Sequence, residues 1–254
     1  VIIAVESSEH AHISRILNEL DGTSARIKII PDMYDIMAGS VKMTSIFGAP
    51  LIEVNPQIMP AWQFAIKRAL DVSLSLLALV ILFPFMLIIA LLVKLSSPGP
   101  VFFRQERIGL ARHPFKIIKF RSMVADAERQ GPQLSSTLDP RITRIGRFLR
   151  RTRMDELPQF WNVLKGEMSL VGPRPERQYF IDEILKVAPH YRHLHKVRPG
   201  LTSWGQVKFG YAETVDQMVR RLKYDILYIE NMSLAVDLKI LGYTVLIILK
   251  GDGK

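Results

Sequence analysis

The sequence predicts a membrane-associated α/β protein in which a partial parallel α/β domain precedes a mainly helical domain. Three observations lead to this class. Residues 72–93 contain no charged side chain, residues 1–55 read as strand, helix and strand, and the net charge is +10 over 254 residues. Such a charge suits nucleic acid or an anionic membrane surface. The chain has no cysteine, which excludes disulfides and thiolate metal sites.

Residues 1–55 have the pattern of a Rossmann-like α/β unit. Apolar runs at 1–5, 26–30 and 46–54 read as strands, and Ile13, Ile16, Leu17 and Leu20 have helical spacing between the first two. Alternating strands and helices are typical of a parallel sheet. Because three strands are too few for such a sheet, we expect residues 1–55 to be part of a larger domain. Residues 56–66, with Pro56 and Pro60, are expected to form a linker.

The uncharged run at 72–93 predicts a membrane helix. As a helix it would be roughly 33 Å long, enough for a hydrocarbon core of about 30 Å. A helix that is apolar on every face must be buried on every face, in a membrane or in the core of a large soluble protein. Core helices are usually shorter, so the sequence favours the membrane.

Pro84 lies in the middle of this run and predicts a kink, because proline removes a helical hydrogen bond. Basic residues flank both ends: Lys67 and Arg68 precede the run, and Lys94 follows it. A spanning helix should have its basic excess on one side only. We therefore predict a re-entrant helix over 67–95 that enters and leaves by one membrane face, with a simple spanning helix as the alternative.

Residues 96–254 carry the charged motifs. Arg141, Arg144, Arg147 and Arg150 recur every third residue, which predicts one basic helix face opposite Ile142, Ile145, Phe148 and Leu149. This face could be solvated or lie at lipid headgroups, or its arginines could bind phosphates. The apolar segment 234–249 is too short at its core to span, so it could lie in the interface or pack on the domain. The histidines near His193 and His195 offer a metal site only weakly, because no carboxylates stand at ligand spacing.

Two adjacent carboxylates, Asp155 and Glu156, follow the arginine-rich segment directly. Neighbours on a helix point about 100° apart, so the pair would not form a symmetric dyad. One carboxylate could act as nucleophile or metal ligand while its neighbour tunes it. The plainer interpretation is a solvated helix start before Pro158.

Several motifs, taken in order, resemble the bacterial sugar transferase family, the monotopic polyprenyl-phosphate phosphoglycosyl transferases. They are Lys67-Arg68 with Asp71, KFRSM at 119–123, RRTRMDELPQFWNVLKGEMSLVGPRP at 150–175 and HKVRPGLTSWGQV at 195–207. The resemblance runs from about residue 60 to the C-terminus. Residues 1–55 resemble the nucleotide-binding-like domain of large family members, so we expect an N-terminally truncated chain. Where the family often has Ser-Pro at the helix break, this chain has Phe83-Pro84.

The resemblance implies transfer of a sugar 1-phosphate from a UDP-sugar to undecaprenyl phosphate with release of UMP, at the cytoplasmic face of the bacterial inner membrane. This would be the first membrane step of exopolysaccharide, capsule or O-antigen synthesis. It further implies a covalent intermediate on Asp155, with Glu156 as its partner and Mg²⁺ held by both. The residues in motif positions that are implied to bind substrate phosphates are Lys119, Arg121, Arg150, Arg174 and Arg198.

Other functions fit the sequence less well. A catalytically silent scaffold for glycan assembly has no need of both the carboxylate pair and the arginine motifs. A DNA-binding protein fails on the membrane helix and on the lack of a recognition motif, so we expect no nucleic-acid partner. Expected partners are the UDP-sugar, undecaprenyl phosphate and membrane lipid, and the N-terminal domain is a candidate homodimer contact. No residue decides which sugar is transferred.

Overall fold

A computed structural model describes residues 2–3, 12, 16, 20, 27–29, 52–54, 58–124, 126–127, 131, 133–134 and 139–250. These residues belong to two compact units, which divide between Ile58 and Met59. The predicted strand residues 1, 4–5, 26, 30 and 46–51 lie outside the described residues.

The N-terminal unit contains a small sheet in the order β1 (Ile2–Ile3), β2 (Ile27–Ile29) and β3 (Ile52–Val54). Strand β2 runs parallel to β1, as predicted, and His12, Ile16 and Leu20 between them are helical. Strand β3 pairs antiparallel with β2, so the expectation of a parallel third strand is wrong. An apolar run predicts a buried strand but carries no information on its direction, and the connection from β2 to β3 is long enough for either.

The C-terminal unit begins with one long helix, α1 (Ala61–Ser96), which contains Pro84. It starts six residues before the predicted boundary at 67, because Pro60 directly precedes it and residues 61–66 include no helix breaker. It is the one described helix long and apolar enough to cross a membrane, and only 11% of its most apolar window is buried. A core helix of a soluble protein would be covered, so this exposure agrees with a membrane-embedded segment.

A β-hairpin follows α1 and is formed by β4 (Phe102–Ile108) and β5 (Pro114–Phe120). Its strands pair antiparallel from Phe102 opposite Phe120 to Ile108 opposite Pro114. The remaining elements are, in order, α2 (Arg144–Arg151), a 3₁₀ helix (Met154–Gln159), α3 (Phe160–Lys165), β6 (Ser169–Val171), α4 (Gln178–Val187), a 3₁₀ helix (Pro189–Lys196), β7 (Gly200–Thr202), α5 (Trp204–Lys208), α6 (Val215–Glu230) and α7 (Leu234–Lys250). Strands β6 and β7 form a parallel pair.

The beginning of α1 is tied to this unit by buried polar contacts. Lys67 Nζ donates to Asp237 Oδ2 at 2.6 Å and to the Val171 carbonyl at 3.0 Å. The Leu170 amide donates to Asp71 Oδ1 at 3.0 Å. Basic residues that precede an apolar run suggest headgroup contacts, but Lys67 is only 7% exposed and serves inside the protein.

The end of α1 packs on the same unit through apolar contacts. Ile89 and Val93 form a buried cluster with Phe120 at the end of β5 and Leu149 on α2. Helix α7 packs on the domain through buried Asp237 and Ile240. Packing on the domain was one of the two arrangements predicted for the apolar segment 234–249.

Candidate active site

Asp155 and Glu156 lie on the 3₁₀ helix between α2 and α3, and both line a cavity of about 270 Å³. Arg153, between α2 and this short helix, has the left-handed conformation, at φ 55°, and so turns the chain from one helix into the other. Met154 is 36% exposed, whereas Asp155 and Glu156 are 7% and 8% exposed. The carboxylates therefore do not form the solvated helix start of the plainer interpretation.

Glu156 is bound by three cations. Its Oε1 accepts hydrogen bonds from Lys119 Nζ at 2.8 Å and from Arg174 Nη2 at 3.0 Å, and its Oε2 lies 3.6 Å from Arg153 Nη1. Burial opposes ionisation, but the charges of Lys119, Arg174 and Arg153 outweigh it and hold the pKa of Glu156 well below its usual range. Glu156 is a fixed anion that positions these basic side chains.

Asp155 lies in a different environment from its neighbour. Among the described residues, no side chain donates a hydrogen bond to its carboxylate, and no ion pair forms with it. Burial raises the pKa of Asp155 to about 6; the charge of Lys119 opposes this rise and the anion of Glu156 adds to it. A buried carboxylate without a hydrogen-bond donor is available to attack an electrophile or to bind a cation.

The cavity is strongly basic. Its basic lining residues, among those described, are Arg107, Lys119, Arg121, Arg141, Arg150, Arg153, Arg174, Arg177 and Arg221, against the acidic residues Asp155, Glu156 and Glu176. Arg150 lines the cavity, and its Nε donates a hydrogen bond to Ser122 Oγ at 2.9 Å. Arg174 also stacks on the ring of Tyr211, with 5.9 Å from guanidinium carbon to ring centre. This excess of positive charge suits a polyanionic ligand such as a diphosphate.

The arginine spacing predicted one basic face, and this prediction is wrong in part. Helix α2 starts only at Arg144, after the Thr143 side chain caps it by accepting from the Gly146 amide. Steps of three drift by about 60° each in an α-helix. Arg150 therefore lies far around the helix from Arg144 and faces the cavity, while Phe148 is 51% exposed beside the outward arginines.

Of the five predicted phosphate ligands, Lys119, Arg150 and Arg174 come together around the carboxylates, and two do not. Arg121 touches the cavity, but its guanidinium donates to the carbonyls of Val93, Ser97 and Pro100 at the end of α1. Arg198 does not line this cavity; its Nε donates to the Gly166 carbonyl at 3.0 Å and it lies over Phe64. Both arginines donate to backbone carbonyls, and a sequence motif does not show that a side chain makes such hydrogen bonds.

Sequence analysis missed the buried group that supports the Arg174 loop. Glu176 is 4% exposed and accepts from Arg107 Nη1 and Arg221 Nη2, each at 2.9 Å. Its carbonyl also accepts from the Ile108 amide at 3.0 Å, which joins the loop to β4. The glutamate directly follows the Arg174-Pro175 motif, and its place there is the one signal that could have identified it.

The donor set for a metal ion is narrow. Among the described residues, no three His, Cys, Asp or Glu side chains lie together as metal ligands would. This holds for the histidines near His195 as well. Glu156 Oε1 is already shared by two cations, whereas its Oε2 lies 3.6 Å from one. Mg²⁺ often takes one or two protein carboxylates and fills its shell with water and substrate phosphates. Asp155 and Glu156 stay the predicted ligands, and Asp155 is the one whose oxygens accept no side-chain hydrogen bond from a described residue.

The fold and the cavity thus define a protein with one long exposed apolar helix, as in membrane-associated proteins, and a basic cavity that contains two carboxylates. A sequence model of the family described as "Bacterial sugar transferase" matches residues 62–251. The chain belongs to this family.

Curated relatives name related activities. The chain is 42% identical over 224 residues to a UDP-N-acetylgalactosamine-undecaprenyl-phosphate N-acetylgalactosaminephosphotransferase of Aeromonas hydrophila, covering 88% of this chain and 52% of the relative. It is 37% identical over 247 residues to a UDP-glucose:undecaprenyl-phosphate glucose-1-phosphate transferase of Escherichia coli K12, covering 96% and 53%. An exopolysaccharide production protein of Rhizobium leguminosarum is 43% identical over 190 residues, covering 71% and 93%. The chain thus spans about half the length of the first two relatives and nearly all of the third.

Proposed function

We propose that the chain transfers a sugar 1-phosphate from a UDP-sugar to undecaprenyl phosphate through a covalent intermediate on Asp155. The observation that carries this proposal is the contrast between two adjacent buried carboxylates. Glu156 is neutralised by three cations, whereas Asp155 faces the same basic cavity and accepts no side-chain hydrogen bond from any described residue. Two of the relatives named above carry names that state a UDP-sugar and undecaprenyl phosphate, which supports the substrate class.

In the first step an Asp155 carboxylate oxygen attacks the sugar-bearing phosphorus of the donor. A bond forms between that oxygen and the phosphorus, and the bond from the phosphorus to the bridging oxygen breaks, which releases UMP. In the second step an oxygen of undecaprenyl phosphate attacks the same phosphorus and displaces Asp155. The product is a lipid-linked diphosphate sugar, and the aspartate is regenerated as its carboxylate.

The basic side chains serve this reaction by neutralising phosphate charge. Lys119 and Arg174 are oriented by Glu156, and Arg150 by Ser122, before any substrate binds. Preorganised cations stabilise charge that develops on a transferring phosphoryl group. We propose Mg²⁺ as the cofactor, with Asp155 as its protein ligand and the donor diphosphate as its main partner; when bound, it would neutralise the leaving UMP.

The contacts of α1 support a re-entrant arrangement. Lys67 near its beginning contacts Asp237, and Val93 near its end packs in a cluster with Phe120 and Leu149, so both ends contact the rest of the C-terminal unit. A straight helix between Lys67 and Val93 would be roughly 39 Å long, more than the hydrocarbon core of about 30 Å. If α1 crossed the bilayer, one end would lie on the face opposite the domain that it contacts. We propose that both ends lie on one face, which in the family's setting is the cytoplasmic face of the inner membrane.

The proposal is tested by UMP release from the purified chain in nanodiscs with Mg²⁺ and undecaprenyl phosphate. UDP-N-acetylgalactosamine and UDP-glucose head the donor panel, because the relatives name both sugars. We expect UMP with at least one donor, abolished by Asp155→Asn and by EDTA. Release of UDP instead would mean ordinary glycosyl transfer, and no turnover with any donor would favour a scaffold.

A further inference from the structure

The outward side of α2 combines unpaired basic residues with an exposed aromatic ring. Arg144, Arg147 and Arg151 are exposed, and none of them forms a hydrogen bond or ion pair with a described residue. Phe148, on the same side of the helix, is 51% exposed. The opposite side packs inward through Ile145 and Leu149.

Helix α3 repeats this combination a short distance along the chain. Trp161 is 50% exposed, and Lys165 one turn later is exposed without a described partner. Both helices pack against α1, on opposite halves of it. Leu149 of α2 contacts Ile89 and Val93, and the α3 carbonyls of Val163 and Leu164 accept from Arg68. The exposed basic and aromatic residues therefore flank the apolar helix at both of its ends.

We infer that this interfacial surface, formed by Arg144, Arg147, Phe148, Arg151, Trp161 and Lys165, binds anionic phospholipid headgroups. Its place beside α1 identifies the occupant, since the surface around a membrane-embedded helix meets the headgroup layer. Aromatic rings and basic side chains are the residues that favour that layer. The charge makes it selective for anionic lipid, and the inference depends on the proposed membrane placement of α1 but not on the transfer reaction.

The charge of this surface also predicts how strongly it prefers anionic over neutral lipid. Each basic residue near an anionic membrane contributes about fivefold to binding at physiological salt. Loss of the three α2 arginines should therefore reduce the preference for phosphatidylglycerol over phosphatidylcholine by about a hundredfold. High salt should weaken the same preference, because exposed charges are screened.

The test is native mass spectrometry of the detergent-solubilised chain with each lipid in turn. The variant Arg144→Gln/Arg147→Gln/Arg151→Gln is compared with Arg192→Gln/Arg220→Gln/Lys223→Gln, which removes equal charge from exposed positions on the Pro189–Lys196 helix and α6. We expect the first variant to lose the phosphatidylglycerol preference and the second to keep it. Equal effects of the two variants, or an unchanged preference in the first, would overturn the inference.

Two further measurements separate the remaining outcomes. Brominated phosphatidylglycerol should quench tryptophan emission in nanodiscs, and Trp161→Phe should remove a clear share of that quenching; no change would place Trp161 away from lipid. Displacement of the lipid by millimolar inorganic phosphate would indicate a site for free phosphate and contradict a lipid surface. UMP release by the same variants reports on the proposed reaction separately, so failure of one does not imply failure of the other.

Discussion

Replacing each carboxylate of the pair by its amide should change stability in opposite directions, although the two residues are adjacent. Asp155→Asn should stabilise the fold at pH 7.5. The pKa of Asp155 is raised from 3.8 to about 6, so the native state holds this proton more tightly than the unfolded chain does. Stability therefore falls as pH rises from about 4 to 6 and stays lower above that. At about 1.4 kcal/mol per pKa unit, the ionised carboxylate costs at most about 3 kcal/mol.

Glu156→Gln should destabilise the fold. The pKa of Glu156 lies below its usual range, so its anion contributes stability above about pH 4.5 that is lost as pH falls. Its amide cannot balance Lys119, Arg174 and Arg153, and removing one partner of a buried ion pair costs about 3–5 kcal/mol. The two variants should thus differ by several kcal/mol in free energy of unfolding.

The assay is thermal unfolding in detergent, followed by tryptophan fluorescence at pH 7.5 and again at pH 5. A change of 1 kcal/mol corresponds to about 2–4 °C for a domain of this size. We expect Tm to rise by about 3–8 °C for Asp155→Asn at pH 7.5 and by about half as much at pH 5, which lies midway through the pH range over which the cost of ionisation develops. A lower Tm for Asp155→Asn, or a rise that does not depend on pH, would refute the distinction between the two carboxylates.

Three further predictions concern activity and packing. UMP release should fall below about pH 6, because Asp155 must be ionised to attack, and a pH–rate profile without this acidic limb would contradict that role. Gly146→Ala should destabilise by more than 2 kcal/mol in denaturant titrations, since an added Cβ would lie 1.9 Å from the Ser122 carbonyl oxygen; Ala188→Gly, at another buried position, is a control for altered backbone entropy. Arg121→Gln should lower Tm by several degrees, whereas Arg150→Gln should mainly raise the KM for the UDP-sugar; the reverse pattern would make Arg121 the phosphate ligand.

The sequence predicted those features that depend on residues close together in the chain or on known motifs. The long helix, the carboxylate pair and the cluster of Lys119, Arg150 and Arg174 all followed from local runs or from motifs. Contacts between distant residues could not be read in this way. The pairing of Lys67 with Asp237 joins residues 170 positions apart, and the binding of Arg121 to the carbonyls of Val93 and Ser97 leaves no pattern in the sequence.

The true start of a helix also decides which side chains face inward. Four arginines at intervals of three predicted one face, but α2 begins at Arg144, and its drift carries Arg150 to the cavity and leaves Phe148 outside. Spacing alone does not state where the helix begins or which of its sides the rest of the domain covers.

The covalent intermediate is tested most directly by intact-protein and peptide mass spectrometry of the chain incubated with Mg²⁺ and a UDP-sugar, without undecaprenyl phosphate. We expect the mass of one sugar phosphate on the peptide that carries Asp155, formed together with one equivalent of UMP and removed when undecaprenyl phosphate is added. Asp155→Asn should show neither the adduct nor UMP. Turnover with acceptor but no adduct, or an adduct on another residue, would contradict the assignment of Asp155 as the nucleophile.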